Sequence, residues 1–306
     1  MSTALARFIA WRLLVAGLFV LVVSSSAFIL VRLAPGDASR EVFQTGVSDA
    51  SIAANRQRLG LDQSLPAHLA AWLGGVARLD LGNSSSDGRP VTGVVASHMA
   101  KTASLAAVAL VVAAALGLPL GILTGTRPDS LVTSIVTVIS LALVCCPPII
   151  GTLALAFLGA STGWISIAPG NYLWPTLALA LPLAAMLERL QSQAAAEAFA
   201  APDIAAAAAR GVPVRRLVWR HASRQALRPV LGVAGVVVAT LFSGSVAVET
   251  ITAWPGLGQL MVQALHGRDL YLVAGCALAG ATLIAVGNFC ADLLRAAVDP
   301  RVRLIS

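Results

Sequence analysis

The stretch Ala103–Leu123 reads ASLAAVALVVAAALGLPLGIL and decides the fold class, because it contains no charged residue. An α-helix rises 1.5 Å per residue, so a stretch of this length crosses the hydrocarbon core of a bilayer, which is about 30 Å thick. Lipid offers free backbone N–H and C=O groups no hydrogen-bond partner, and a spanning segment of this kind is therefore helical. The stretch predicts a transmembrane helix.

Five further apolar stretches accompany it along the chain. They are Phe8–Val31, Leu131–Leu158, Tyr172–Leu187, Val230–Val248 and Tyr271–Ala291. The composition agrees, because 58% of the 306 residues are hydrophobic and 11% are charged, against about 25% charged in an average soluble domain. The sequence predicts an all-α integral membrane protein with six transmembrane helices.

The net charge of +7 does not indicate a nucleic-acid partner. The basic residues are spread along the chain, and aromatic residues make up only 5% of it, too few for a base-stacking platform. The histidines are scattered, so no metal site is predicted. We expect contact with a lipid bilayer and no nucleic acid.

The distribution of basic residues predicts the orientation. If the N-terminus is cytoplasmic, six spans return the C-terminus to the cytoplasm, and 13 of the 21 basic residues lie on that side. Most of the others belong to one long segment, Arg32–His98, and long loops count less in the positive-inside rule. A cleaved signal peptide is the alternative for the first stretch, but its apolar part is long and Arg32 follows it.

These observations divide the chain into three regions. We predict an N-terminus with the first span at 1–31, an external segment at 32–98, and a core of five spans at 99–306 with a cytoplasmic loop at about 188–229.

Prolines predict irregularities in two spans. Pro147–Pro148 should break the hydrogen-bond ladder of the third span. The fourth span, with Pro175 and Pro182, should be kinked and sheltered by neighbouring helices. Its apolar part should end near Leu187, with Arg189 reaching the interface.

Three glycines, Gly117, Gly121 and Gly125, recur at every fourth residue near the end of the second span. This spacing places small residues on one helix face and lets another helix approach closely.

The external segment predicts two amphipathic helices. The first covers about Ser51–Leu59, with Gly60 suited to its C-cap. The second follows Ser64 as its N-cap, and its apolar face consists of Leu65, Leu69, Trp72, Leu73 and Val76. A loop rich in Gly and Ser, Asn83–Pro90, follows.

The cytoplasmic loop predicts two helices joined at a glycine. Asp203–Arg210 favours a helix, and Gly211 suits its C-cap. Val212–Pro213 then leads into the next helix. The next helix carries Arg216, Arg220, Arg224 and Arg228 on one face. This stripe is consistent with contact to anionic headgroups or with docking of a soluble partner.

The segment Glu249–Gly258 lies just outside the fifth span in this interpretation. Glu249 should sit where the membrane ends, because a charge deeper in lipid is costly. Pro255-Gly256-Leu257-Gly258 should form a tight turn.

Four passages resemble the B-type permease subunit of dipeptide and oligopeptide ABC importers. They are VRLAPGD at Val31–Asp37, AAARGVPVRRLVWRHASRQAL at Ala207–Leu227, VETITAWPGLGQL at Val248–Leu260 and AVDPRVR at Ala297–Arg303. Their order and spacing agree with the family over essentially the whole chain. The resemblance implies the type I ABC importer permease fold, in the inner membrane of a bacterium.

The resemblance also implies a docking site for an ATPase subunit in the cytoplasmic loop, at the position of the family's EAA motif. By position, the coupling loop comprises Ala205, Ala206, Ala207, Arg210, Gly211, Val212 and Pro213. The family's glutamate is absent here.

The partners implied by the resemblance are a second, C-type permease, one or two ABC ATPase subunits and an extracellular solute-binding protein. ATP and Mg²⁺ would bind to the ATPase subunits, and no cofactor to this chain. At the outer mouth, the residues expected to form a gate or to receive the binding protein are Trp72, Glu249, Trp254, Pro255, Gly256 and Gly258.

The chain lacks the sequence motifs that are typical of the competing functions. The chain has no GxxxxGK[ST], no HExxH and no GxSxG, so neither a P-loop ATPase nor a hydrolase is predicted, and catalytic residues are expected to be absent. An ion-coupled secondary transporter usually holds ionisable residues near the membrane midplane, and we place none there. The predicted substrate is a short peptide, with haem or a nickel chelate as alternatives.

Overall fold

The computed structural model describes residues 3–33, 62–163 and 170–298. Within these ranges the regular structure is helical, with one isolated bridge between Asn83 and Pro90. The helices are α1 (Thr3–Leu33), α2 (Leu65–Val76), α3 (Val91–Thr126), α4 (Leu131–Cys145), α5 (Pro148–Thr162), α6 (Leu173–Phe199), α7 (Pro202–Ala209), α8 (Val214–Arg216), a π-helical segment (Leu217–Ala222), α9 (Ser223–Gly232), α10 (Ala234–Ile251), α11 (Leu257–His266) and α12 (Leu270–Val298).

Five of the described helices are each long and apolar enough to cross a membrane: α1, α3, α6, α10 and α12. The pair α4 and α5 passes the same test together but is bent by 114°. The predicted break at Pro147–Pro148 is confirmed, and the continuous span Leu131–Leu158 is corrected to two helices. Pro147 and Pro148 have no backbone N–H, so the ladder stops between them.

The fourth span was predicted to end near Leu187, and this is wrong for the helix. α6 continues to Phe199, and Glu188 lies inside it with 1% of its surface exposed. Its Oε1 accepts a hydrogen bond from Thr124 Oγ1 at 2.6 Å. The neighbouring helix α3 buries the carboxyl group and supplies its hydrogen-bond donor. No local sequence feature indicates this donor, and a helix end was therefore expected at this position. The predicted shelter of this span by neighbours is confirmed.

The glycine face of α3 packs against α6, as predicted. A Cβ at Gly117 would lie 2.5 Å from the Ala184 carbonyl oxygen, and one at Gly121 would lie 2.6 Å from the Glu188 carbonyl oxygen. Any side chain at these positions collides with the backbone of α6. Only glycine permits this approach of the two helices.

The chain forms two compact units. The first contains Met1–Trp11, Ser104–Trp254 and Gly287–Ser306, and the second contains Arg12–Ala103 and Pro255–Val286. The core of the first unit is built from small and branched side chains on α3, α6 and α10, including Ala109, Leu183 and Leu241.

One core cluster of the second unit is aromatic. Trp72 of α2 stacks on Phe28 with ring centroids 5.2 Å apart, and Leu270 and Ala274 complete the cluster. The predicted helix and apolar face of α2 are confirmed, although Ser64 makes no side-chain capping bond. The predicted helix Ser51–Leu59 lies outside the described residues.

Candidate coupling segment and outer residues

The coupling segment is the run from α7 through α9. α7 ends at Ala209, and Gly211 adopts a left-handed φ of 83°. The Gly211 amide donates to the Ala208 carbonyl at 2.9 Å, and the Val212 amide donates to the Ala207 carbonyl at 3.3 Å. These bonds satisfy carbonyls at the helix end, and the predicted glycine C-cap is confirmed.

The coupling segment is held together by its own small core. Ile204, Ala207 and Leu217 are buried, with Phe199 and Val212 packed against them. Between α7 and α9, Gln225 Nε2 donates to Asp203 Oδ2 at 2.6 Å. The turn around Gly211 is therefore a preformed surface feature.

The residues predicted for ATPase docking do not all face outward. Ala205, Ala206, Arg210, Gly211 and Pro213 are exposed. Ala207 is buried in the small core, and Val212 is half-buried. Apart from Arg210, the exposed residues have small side chains.

The arginine stripe continues beyond the turn. Arg216, Arg220, Arg224 and Arg228 are all exposed, as predicted. Their helix changes from α to π over Leu217–Ala222 and back to α, a feature that sequence spacing did not reveal. Isolated π-turns often mark functional positions.

Glu249 and Trp254 belong to the first unit. Glu249 lies in the last turn of α10 and is fully buried, which corrects its predicted position outside the span. The Trp254 amide donates to the Glu249 carbonyl at 3.0 Å, and the turn between them places Ala253 at a φ of 50°. The Trp254 ring is 4% exposed and packs edge-on against Tyr172 at 4.4 Å.

Pro255, Gly256 and Gly258 belong to the second unit, and the tight turn predicted for them is wrong. Gly256 is extended, and α11 begins at Leu257, so that Gly258 is helical. The Leu257 amide donates to Thr102 Oγ1 at 2.7 Å. A side chain distant in sequence therefore satisfies one of the free amides at this helix start.

Trp72 is also buried, with 4% exposure. Beside it, His68 Nε2 lies 3.0 Å from the Tyr271 hydroxyl. Burial and, to a smaller degree, the nearby Arg32 lower the pKa of His68 below its ordinary value of 6.5. Trp72 and Trp254 therefore face the interior of this chain, and their contact with a binding protein stays a prediction.

Sequence reasoning missed the buried Asp269 in the second unit. Its Oδ2 accepts hydrogen bonds from Ser84 Oγ at 2.6 Å, the Ser85 amide at 2.8 Å and Ser86 Oγ at 3.0 Å. Its Oδ1 accepts from the Leu272 amide at 3.1 Å, which caps α12. One carboxylate thus ties the Asn83–Pro90 loop to the start of a span. Its place before an apolar run indicates a cap, but no local signal indicates the loop.

A second missed feature is a groove of about 580 Å³ in the first unit. It lies between the α4–α5 bend and the middle of α10. Its lining residues are Pro147, Pro148, Ile149, Ala239, Thr240, Ser243, Gly244 and Ala247. The lining is apolar except for two hydroxyl groups.

Comparison with known proteins agrees with this arrangement. The family model "Binding-protein-dependent transport system inner membrane component" matches residues 117–304, and the model for the N-terminal part of such components matches residues 5–106. A putative peptide transport system permease protein of Brucella abortus is 32% identical, over 92% of this chain and 94% of its own length.

A second relative is the oligopeptide transport system permease protein AppB of Bacillus subtilis. It is 28% identical, over 90% of this chain and 92% of its own length. Both matches extend over nearly the whole of each protein, so they cover the spans and the coupling segment alike. This multi-pass membrane protein belongs to the family of binding-protein-dependent transport system inner membrane components, the permease subunits of ABC transporters.

Proposed function

We propose that this chain is a permease subunit of a bacterial ATP-driven importer for short peptides. The peptide substrate is supported by two relatives that are named as peptide or oligopeptide transport permeases. The five spanning helices and the bent pair supply the membrane part. The chain has no P-loop, so ATP and Mg²⁺ bind to partner ATPase subunits in this proposal.

The preformed turn at Gly211 carries the coupling part of the proposal. Ala205, Ala206, Arg210, Gly211 and Pro213 form the exposed docking surface, and Ala207 and Val212 hold it from within. α6 runs from the core of the first unit to within a few residues of this surface. A push on the turn by the ATPase therefore reaches the membrane helices directly.

The remaining partners follow from the subunit role. A second, C-type permease completes the pathway, and an extracellular solute-binding protein delivers the substrate. We propose that the groove between the α4–α5 bend and α10 is part of the pathway wall. Non-helical backbone at membrane depth is tolerated where it is sheltered by protein or lines a water-filled cavity.

The outer residues act through packing in this proposal. Trp72, Glu249 and Trp254 stabilise the outer ends of their own units, because they are buried. Pro255, Gly256 and Gly258 set the start of α11. Substitution of Trp254 or Gly256 should weaken stimulation of ATPase activity by the loaded binding protein and leave the basal activity in place.

We propose that both termini are cytoplasmic and that the Asn83–Pro90 loop is external, in the inner membrane. Reporter fusions at Ser306 and within that loop should report opposite sides. A C-terminal reporter on the outer side of the membrane contradicts this orientation.

Cross-linking tests the docking surface. A cysteine at Ala206 should form a cross-link to the ATPase subunit in the assembled complex, because this position is exposed. A cysteine at Ala207 is the matched control, since the neighbouring position is buried. Equal yields from both, or none from Ala206, contradict the assignment.

Substrate uptake separates the alternatives. Vesicles containing the complex should accumulate labelled di- or oligopeptide only with ATP and the ATPase subunits. Uptake of haem or a nickel chelate instead assigns a different cargo to the same kind of complex. Uptake driven by an ion gradient without the ATPase would place the chain among secondary transporters.

A further inference from the structure

Three arginines of the stripe, Arg220, Arg224 and Arg228, are exposed, and their side chains have no partner within the described chain. The side chains of Arg220, Arg224 and Arg228 make neither a hydrogen bond nor an ion pair with any residue in the ranges 3–33, 62–163 and 170–298. Three unpaired positive charges on one face repel each other, so an anionic partner stabilises this face.

The opposite face of the same helix is fixed in place. Ala222 and Ala226 are buried against Ala194, Ala195 and Ala198 of α6. Alanine against alanine brings the two helices close together. The arginines therefore cannot rotate toward the interior, and they point away from α6.

The π-helical segment keeps two of the arginines, Arg220 and Arg224, nearly aligned. In a regular α-helix, four residues turn about 40° beyond a full circle, so a four-residue repeat drifts around the surface. The wider π-turn at Leu217–Ala222 advances less per residue and opposes this drift. Arg220 therefore stays nearly in line with Arg224, and Arg228 is displaced from Arg224 by the drift of one regular four-residue step.

The packing also gives the depth of these arginines. About 20 helical residues cross the hydrocarbon core. Counted from Leu173, where α6 begins, this length ends near Ser192. Ala194–Ala198, and with them Ala222 and Ala226, then lie about 3–9 Å beyond the hydrocarbon, in a headgroup layer about 5–8 Å thick.

We propose that Arg220, Arg224 and Arg228 bind the phosphate groups of anionic phospholipids, so that the coupling segment is anchored to charged lipid. A guanidinium donates two parallel hydrogen bonds to a phosphate, which suits this ligand. Trp219, 46% exposed beside them, suits the same interfacial layer. This inference rests on the proposed orientation, with the coupling segment cytoplasmic.

Lipid selectivity tests the proposal without any transported peptide, so a wrong substrate assignment does not affect it. The complete complex is placed in nanodiscs, and the association of spin-labelled phosphatidylglycerol is compared with that of spin-labelled phosphatidylcholine. The test variant is Arg220→Gln/Arg224→Gln/Arg228→Gln. The Lys triple variant keeps the charge, and Arg78→Gln is a control at an exposed arginine in the second unit.

The wild-type complex should prefer phosphatidylglycerol, with roughly a fivefold contribution from each arginine. The Gln triple variant should lose at least about tenfold of this preference, while the Lys variant and Arg78→Gln retain most of it. If the triple variant does not accumulate, each single Gln variant should lose about fivefold.

An unchanged lipid preference in the Gln variants overturns the proposal, as does an absence of preference in the wild type. Loss of the ATPase subunits from the Gln variants, at an unchanged lipid preference, also overturns it and assigns the arginines to protein docking.

Discussion

Glycines are required in the first unit for two different reasons. At Gly117 and Gly121 of α3 an added Cβ would meet the backbone of α6, whereas at Gly211 it would meet nothing within 4 Å. The first set is required by close packing, and Gly211 is required by its left-handed φ of 83°. Substitution in the first set should therefore damage the fold, and substitution of Gly211 should damage the function of a chain that still folds.

The largest effect is expected at the helix contact. Gly121→Val should destabilise the protein by about 3 kcal/mol or more, because the new side chain overlaps α6 backbone that cannot move aside. The measurement is thermal unfolding in detergent, together with the amount of protein in the membrane. Gly93→Val in the same helix is the control, since no atom lies within 4 Å of its Cβ position. Equal losses in both variants would remove the packing argument.

A smaller effect is expected for the buried hydrogen bond between Thr124 and Glu188, which lies beside the contact of α3 with α6. Glu188→Leu should cost about 1–3 kcal/mol, because the Thr124 hydroxyl loses its carboxylate acceptor. Glu188→Gln keeps an acceptor and should cost less. In a double-mutant cycle with Thr124→Val, the two substitutions should couple by about 1 kcal/mol. Additive effects would mean that the hydrogen bond contributes little.

The second unit offers a second buried polar contact, between Asp269 and the Asn83–Pro90 loop. Asp269→Ala should release the Asn83–Pro90 loop at a cost of about 1–3 kcal/mol, because several donors lose their acceptor. Faster hydrogen exchange at the Ser85 amide measures this release. Asp87→Ala, in the same loop, is the control, since that carboxyl is paired with Arg89 at the surface. If exchange at the Ser85 amide is unchanged in Asp269→Ala, Asp269 does not hold the loop in place.

The smallest effect is a pH dependence confined to the second unit. Because the pKa of His68 is lowered in the folded protein, the unfolded chain binds more protons between the two pKa values. The stability contributed by neutral His68 is therefore present above pH 6.5 and is lost as the pH falls below it. His68→Gln should flatten the dependence of the unfolding temperature on pH in that range. An identical slope in the variant would contradict the assignment.

The sequence was informative where the deciding interaction is local. Apolar length identifies the spans, Pro147–Pro148 identifies the bend, and Gly211 identifies a helix end. Glu188 was misplaced because its partner, Thr124, lies on another helix. The hydrogen bonds between Asp269 and the Asn83–Pro90 loop were missed for the same reason, because Ser84 is far from Asp269 in the sequence. Local sequence patterns do not predict contacts between residues that are far apart in the chain.

The outer turn shows a different limit. Pro-Gly-Leu-Gly favours a turn on local grounds, yet Thr102 caps Leu257 and the helix begins there. The turn forms earlier instead, at Ala253, which has no glycine to mark it. Tertiary hydrogen bonds overrode local propensity at both positions. The helix end at Gly211 was predicted correctly because a glycine cap is a local feature, whereas the docking residues came from the resemblance and stay a prediction.

The coupling role of the turn at Gly211 is tested by the effect of Gly211→Val on transport and ATP hydrolysis. A β-branched residue at a left-handed φ costs about 1–3 kcal/mol locally, and Gly163→Val is the matched control, because Gly163 is a second left-handed helix cap with open space around it. Transport and ATP hydrolysis are measured together in reconstituted vesicles. Gly211→Val should insert normally but separate hydrolysis from transport or release the ATPase, while Gly163→Val should transport as the wild type does. Normal coupled transport with valine at position 211 would contradict the coupling role of this turn.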